Sequence, residues 1–250
     1  MSLSTNQKIT FILFSLGFMG ILSTLLMPLN LPEGADIPFS DNTIRALGIV
    51  QSCVMLALAL WAGSTLGRKL GFRAPIIESI LNKDFSISQL SQLKSSVVFG
   101  FIGGVAVLMF SFFYQSYLPE SFLIASEKSM SELNPLVRFM YGGITEELLM
   151  RWGLMSLIAW IGSKITGKQS AIAVWFGIVI AALIFGVAHL PAVQGLTNEL
   201  TSNLVVYIIT MNSVLGILFG WLFWKKGIEA AMVAHSFAHV AFLSVAPLLS

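Results

Sequence analysis

The sequence predicts an all-α protein, a polytopic membrane helix bundle of about seven transmembrane helices, with eight as the upper limit. Of its 250 residues, 56% are hydrophobic and only 10% are charged, whereas soluble domains carry about a quarter charged residues. Apolar runs long enough to cross a bilayer, about 17–25 residues, recur along the chain. The eight prolines fall between these runs or at their ends, as expected of residues that break helices. This composition excludes a soluble enzyme, and the net charge of +2 gives no reason to expect a nucleic-acid partner.

Seven apolar runs define the predicted spans, within a single integral membrane domain that covers residues 1–250. The first run follows Lys8, but it is long and lacks a small-residue cleavage site, so we interpret it as an uncleaved span rather than a signal peptide. The last two runs are separated only by a tight turn at Lys225, Lys226 and Gly227. The predicted spans cover residues 9–29, 44–66, 96–118, 137–162, 169–191, 204–224 and 227–247.

Lysine and arginine residues set the predicted orientation. They concentrate in alternate loops, and because basic residues favour the cytoplasmic side, the N-terminus is predicted to be cytoplasmic. Of the lysines and arginines outside the span interiors, only Arg45, Lys128 and Arg138 are then expected on the outer side. The longest inner loop, residues 67–95, mixes apolar and basic residues, and we interpret it as a surface helix or a solvated loop.

Three ionisable side chains lie within the fourth predicted span, at Glu146, Glu147 and Arg151. A charged side chain at the bilayer centre costs about 2.5–3.5 kcal/mol on insertion scales, so their presence requires a reason. In a helix Arg151 lies one turn beyond Glu147, which is the favourable order for an acid–base pair. Glu146 points about 100° away from that pair and has no local partner, which makes it a functional candidate. The alternative is a structural glutamate–arginine pair that locks two helices together.

All three histidines also lie within predicted spans, at His189, His235 and His239. His235 and His239 are four residues apart and share one helix face, and His189 follows Phe185 by the same interval. From their positions along the spans, the acid and the imidazoles are expected to converge in the middle-to-outer part of the membrane.

A carboxylate near imidazoles supports hydrolysis in two ways. The carboxylate acts as general base on a water molecule, while the imidazoles orient the water and stabilise the oxyanion. Alternatively, His189, His235 and His239 hold zinc or another divalent metal ion that activates the water. The spacing of the last two histidines suits zinc, but Ser236 stands where an HExxH motif has its glutamate. Both alternatives stay open from the residues alone.

Three short motifs resemble one known family. EELLMR at 146–151 fits EExxxR, FGVAH at 185–189 fits FxxxH, and HSFAH at 235–239 nearly fits HxxxN or HxxxD. In this order, on membrane helices, they are similar to the CPBP family of intramembrane proteases, which includes Rce1-type CAAX prenyl endopeptidases and bacterial Abi, or bacteriocin-immunity, proteins. The resemblance covers about residues 137–241, the family-like catalytic core.

The resemblance implies an intramembrane endopeptidase that hydrolyses peptide bonds of membrane-associated peptides or proteins. It implies that Glu146 is the base that activates water, that His189 holds this water and that His235 stabilises the oxyanion. The other matched positions would support the site; they are Glu147, Arg151 and Phe185. The bacterial members imply a location in the inner (cell) membrane.

His239 departs from the family pattern, because that position usually carries Asn or Asp. A neutral imidazole still offers one N–H donor, so it could replace an Asn donor, or it could bind a metal ion. The family has been described with both glutamate-dependent and metal-dependent mechanisms, and the resemblance carries both to this sequence.

Two further functions compete with proteolysis. A transporter or proton relay also uses buried Glu and His residues, but it should show paired half-helices broken by Gly or Pro, which the sequence lacks. A non-catalytic membrane interaction or immunity protein that retains the fold is favoured by the departure at His239.

The remaining polar and small residues of the spans are interpreted as packing features. The GxxxG spacings Gly100–Gly104 and Gly216–Gly220 allow close approach of helices within the bundle. Asn212 in the sixth span is interpreted as making a helix-to-helix hydrogen bond, with a place in the cavity as the alternative.

Overall fold

The computed structural model describes residues 3–29, 38–167, 170–197 and 199–248. Within these ranges the chain forms helices and no strands, which confirms the predicted all-α class. Helix α7 continues into two wide π-helical segments, π1 and π2, and α8 follows them. The bounds are α1 Thr5–Ser23, α2 Asp41–Thr65, α3 Pro75–Asn82, α4 Ile87–Ser91, α5 Lys94–Tyr114, α6 Glu120–Glu132, α7 Pro135–Val137, π1 Arg138–Glu146, π2 Leu148–Met155, α8 Ser156–Ile165, α9 Ala171–Ala188, α10 Leu190–Gln194, α11 Ser202–Lys226 and α12 Ile228–Val245.

Seven helical stretches of the described chain are long and apolar enough to cross a membrane, so this is an integral membrane protein with the predicted number of spans. Each coincides with one predicted apolar run, and the fourth is the least hydrophobic. Helix α6 carries too many polar residues to be an eighth span. The stretches are Thr5–Leu26, Asp41–Leu70, Ile87–Tyr117, Pro135–Ile165, Ala171–Gln194, Ser202–Lys226 and Ile228–Leu248.

The loop predicted at 67–95 contains a surface helix that is tied to the bundle, rather than a solvated segment. The first amides of α3, at Ile76 and Ile77, each donate a hydrogen bond to Glu229 Oε1 at 3.0 Å, so the start of α12 caps α3. Glu78 is buried and forms ion pairs with Arg68 at 2.9 Å and Arg73 at 2.6 Å.

Glycines set the closest contacts between spans, as the two GxxxG spacings predicted. A Cβ atom at Gly104 would lie 2.8 Å from the carbonyl oxygen of Ala238, and one at Gly100 would overlap the backbone of Ala234, so α5 packs directly on α12. Likewise, a Cβ at Gly216 would lie 2.9 Å from the Cβ of Ala182, which brings α11 against α9. The interpretation of both spacings as internal packing is confirmed.

Because of this close packing, Gly100→Ala and Gly48→Ala are expected to have different effects on stability. Alanine at position 100 meets the backbone of α12, and overpacking of this kind costs about 1–3 kcal/mol. Position 48 has no neighbouring atom within 4 Å, so the same change should stabilise the helix by up to about 1 kcal/mol. Thermal unfolding in detergent should therefore show a lowered Tm for Gly100→Ala and not for Gly48→Ala. Equal Tm values for the two variants would contradict the packing described.

The fourth span is a wide helix at the centre of the bundle. The hydroxyls of Thr145 and Ser156 contact carbonyl oxygens five residues earlier, at Met140 and Arg151, each at 3.3 Å. Long π-helical runs are rare, and shorter ones occur frequently at functional sites. Helices α1, α2, α9 and α12 all pack against this span. Its charged residues Arg138, Glu147 and Arg151 are therefore buried in protein rather than exposed to lipid.

Candidate active site

Glu147 is the centre of the polar cluster in the membrane. Its carboxylate is fully buried, and Oε1 lies 3.0 Å from Arg151 Nη1, which confirms the predicted pair. This contact is ionic and lacks hydrogen-bond geometry. The same oxygen accepts a 2.7 Å hydrogen bond from Nδ1 of His235, on α12. One carboxylate thus connects the fourth and seventh spans.

Arg151 lies in a slot between aromatic rings. Its guanidinium carbon is 4.9 Å from the ring centroid of Phe185 and 5.4 Å from that of Phe219. Gly216 leaves room for the guanidinium, because a Cβ there would lie 3.3 Å from Nη2. The quadrupoles of the two rings attract the cation and partly replace the water lost on burial. The position of Phe185, from the second motif, is explained by this contact.

His235 has a fixed orientation. Because Nδ1 donates to Glu147, the neutral imidazole keeps a lone pair on Nε2. The ring stacks on Phe219, with centroids 4.7 Å apart and planes 23° apart. It also stacks on His239, with centroids 5.0 Å apart and planes 20° apart. A hydrogen bond and two stacked rings therefore hold this side chain.

Glu146 is partly buried and forms no ion pair or hydrogen bond with the described residues. Its carboxylate lies within electrostatic range of His235, His189, Glu147 and Arg151. The two imidazoles come from two other spans, and His239 is not among these groups, so the convergence of the acid with all three histidines stays a prediction. Glu146 and Glu147, although adjacent, have different surroundings.

His189 caps the C-terminal end of α9. Its Nδ1 lies 2.7 Å from the carbonyl oxygen of Phe185, and because a carbonyl only accepts, Nδ1 must carry the proton. The Phe185 ring contacts the imidazole edge-on, with centroids 4.6 Å apart. The Nε2 atom of His189 is therefore an acceptor, suited to hold a water molecule.

Comparison with known protein families gives a match over part of the chain. Residues 129–241 match the family model described as type II CAAX prenyl endopeptidase Rce1-like. The match covers less than half of the chain, and by this similarity we refer to residues 129–241 as the Rce1-like domain. At the level of the family, the match supports an intramembrane, CAAX-type endopeptidase. No curated protein and no solved structure gives a significant match.

The Rce1-like domain contains all seven residues that the sequence motifs singled out. It also contains π1, π2 and α9 to most of α12, the elements that position these residues. Helices α1, α2 and α5 precede the matched region and supply the walls against which these elements pack.

His239 is the least satisfied member of the Rce1-like site. Both of its ring nitrogens are buried without a hydrogen-bond partner among the described residues. Its Nε2 points at Gly142, where a Cβ would lie only 2.7 Å away. The glycine thus makes space for an imidazole at a position where the family usually has a smaller side chain.

The donors of the site do not fit a metal ion as they are placed. His235 and His239 lie with their rings nearly parallel, so their nitrogens do not point to a shared centre. Nδ1 of His235 already binds Glu147. Among the described residues, no three His, Cys, Asp or Glu side chains form a group that could hold a metal. The zinc alternative stays a prediction.

Sequence reasoning missed two features of the Rce1-like domain. Phe219, which contacts both Arg151 and His235, looked like one of many core phenylalanines; its place between Gly216 and Gly220 was the only signal. Arg138, expected among outer-loop charges, is only 3% exposed and donates to the carbonyl oxygen of Met130. Nothing in the local sequence distinguishes it from a loop arginine.

Proposed function

We propose that this protein hydrolyses peptide bonds of membrane-associated peptides or proteins, with Glu146 as the general base. One observation carries the proposal: Glu146 has no ion-pair partner among the described residues, while two imidazoles from other spans act on it. Its neighbour Glu147 is neutralised by Arg151. An unpaired carboxylate inside the membrane carries a large free-energy penalty, and such residues are by default candidates for a functional role.

The proposed reaction begins with a water molecule between the Glu146 carboxylate and Nε2 of His189. Glu146 takes a proton as the water oxygen bonds to the substrate carbonyl carbon, and the carbonyl oxygen becomes an oxyanion. The carbon–nitrogen bond then breaks, and Glu146 returns the proton to the leaving amine. Atoms and charge balance without any further reactant.

His235 is proposed to accept a hydrogen bond from the attacking water through Nε2, the ring nitrogen that keeps its lone pair. Glu147 holds Nδ1 of this ring, much as a buried carboxylate orients the histidine of a catalytic triad. Arg151 in turn fixes Glu147. In this scheme Glu147 and Arg151 are positioning residues. His239, stacked on His235, limits the movement of that ring and offers an N–H to the same region.

The orientation in the membrane is part of the proposal. We place the N-terminus in the cytoplasm and the protein in the inner (cell) membrane of a bacterium. Two basic segments that the rule assigns to one side do meet in the structure: Lys226 Nζ is 2.6 Å from Ser95 Oγ, and the amide of Ile228 binds the carbonyl of Arg73. The site then lies in the middle-to-outer part of the membrane.

Protein N-termini in membranes test this function. Cells that express wild type should show new N-termini that disappear in cells expressing Glu146→Ala at the same level. Glu132→Ala is the matched control, because Glu132 is exposed on α6 and away from the site. Its profile should equal that of wild type.

Identical profiles for wild type and Glu146→Ala, with both proteins stably inserted, would overturn the proposal. They would favour a non-catalytic interaction or immunity protein that retains the fold. A transporter or proton relay would instead show pH-dependent flux in proteoliposomes that Glu146→Ala abolishes, without any change in N-termini.

A further inference from the structure

Asn212 is a polar residue in the middle of α11 that has no role in the proposed reaction. Its Nδ2 donates a 2.9 Å hydrogen bond to the carbonyl oxygen of Ile208, one turn earlier in the same helix. The helix-to-helix bond expected from the sequence is therefore not formed with the described residues. An amide nitrogen carries two hydrogens, so one N–H of Asn212 remains free.

The direction of Asn212 follows from its neighbours on the helix. Gly216 lies four residues later and faces Arg151, and Phe219 lies seven residues later and stacks on His235. Residues at intervals of four and seven share one helix face. Asn212 therefore lies on the stripe of α11 that faces the polar cluster. It is partly buried.

The depth of Asn212 matches that of the His189 imidazole. A Cβ at Gly186 would lie 2.9 Å from the Cα of Ile209 and from the hydroxyl of Ser213, so this part of α11 is opposite Gly186. The His189 ring bends back to bind the carbonyl of Phe185, which places it at the same level. Asn212 thus reaches the level at which the attacking water is proposed to lie.

Two of the three histidines of the site have no free N–H donor for the substrate, which leaves the unpaired ring of His239 as the candidate donor among them. The Nδ1 protons of His189 and His235 are committed to Phe185 and Glu147, so these neutral rings offer acceptors. Peptide hydrolysis instead places negative charge on the carbonyl oxygen, which N–H donors must stabilise. The hydrogen bond to Ile208 already orients the Asn212 amide. Less conformational entropy is therefore lost when the amide binds the substrate.

We propose that Asn212 donates its free N–H to the carbonyl oxygen of the scissile peptide bond, as a further catalytic residue in the oxyanion site. The proposal rests on the proposed proteolytic function, because it assigns a donor to that reaction. Asn212 is therefore expected to stabilise the transition state more than it strengthens substrate binding.

Purified protein in detergent, with a peptide that spans a cleavage site found by the N-terminus comparison, provides the test. Asn212→Leu should lower kcat by about 10²–10³-fold, the usual effect of losing one oxyanion donor, and change KM by less than about threefold. It should also weaken binding of the matching peptide phosphinate, whose anionic tetrahedral group replaces the scissile amide.

Ser213→Ala is the matched control on the same helix. Ser213 is buried and donates to the carbonyl of Ala182 on α9, at 3.1 Å, so its loss should lower the Tm without changing kcat. If Asn212→Leu does not fold, Asn212→Asp keeps the shape and removes the donors.

A normal kcat for the folded Asn212 variant, or a rise in KM alone, would overturn this inference. Glu146→Gln in the same assay separates the two levels of the proposal. If Glu146→Gln cleaves as wild type does, the assignment of Glu146 as general base fails; if only the Asn212 variant cleaves as wild type does, the assignment of Asn212 fails and the proposed function stands.

Discussion

Glu146→Gln is expected to lower peptide cleavage by about 10²–10⁴-fold, the usual contribution of a general base. The amide keeps the size of the side chain but cannot accept the proton from water. Because Glu146 makes no ion pair with described residues, its neutral replacement should leave the Tm unchanged or raised. Cleavage kinetics and thermal unfolding of the same preparation would show this separation of activity from stability.

A control variant and a metal chelator test whether Glu146 acts as the base and whether it acts without a metal. Glu132→Gln, at an exposed acid on α6, should cleave at the wild-type rate. Treatment of the wild type with 1,10-phenanthroline should leave the rate unchanged if Glu146 acts without a metal. A rate that falls on chelation and returns with added zinc would contradict this prediction and support the metal alternative.

Removing one member of the Glu147–Arg151 pair is expected to destabilise the protein strongly. Arg151→Met leaves the fully buried Glu147 carboxylate without its cation, and breaking such a pair typically costs about 3–5 kcal/mol. Glu147→Leu leaves the guanidinium uncompensated between Phe185 and Phe219. Denaturant unfolding in mixed micelles would measure the loss for each variant.

The double variant Glu147→Leu/Arg151→Met should recover much of this stability, because no uncompensated charge remains. It should not recover activity, because His235 loses the acceptor that orients its Nδ1. Additive losses of stability in the double variant would show that the two charges are not coupled. Full activity in the double variant would show that Glu147 does not position His235.

Much of the fold was predictable because it depends on local composition. Each of the seven spans is a continuous apolar run, and the close contacts of α5 and α11 follow from glycines at an interval of four. The Glu147–Arg151 pair was also predictable, since its members are four residues apart on one helix. These features need no knowledge of distant parts of the chain.

Other features depend on contacts between distant segments. The sequence indicated an ordinary α-helix for the fourth span, whereas packing against four other helices accompanies the wider form. The bond between Glu147 and His235 joins residues 88 positions apart, and local spacing does not encode it. The capping of α3 by Glu229 was missed for the same reason. The burial of Arg138 depends on where α6 ends in space.

The distance of 88 residues between Glu147 and His235 also matters for how the protein is made. Chains grow at about 5–20 residues per second, so roughly 4–18 s separate the synthesis of these two residues. During that time the least hydrophobic span must stay in the bilayer before its histidine partners exist. Helices α1 and α2 are already present and pack on this span. The segment that precedes the Rce1-like domain can therefore act as an intramolecular chaperone that retains the fourth span during biogenesis.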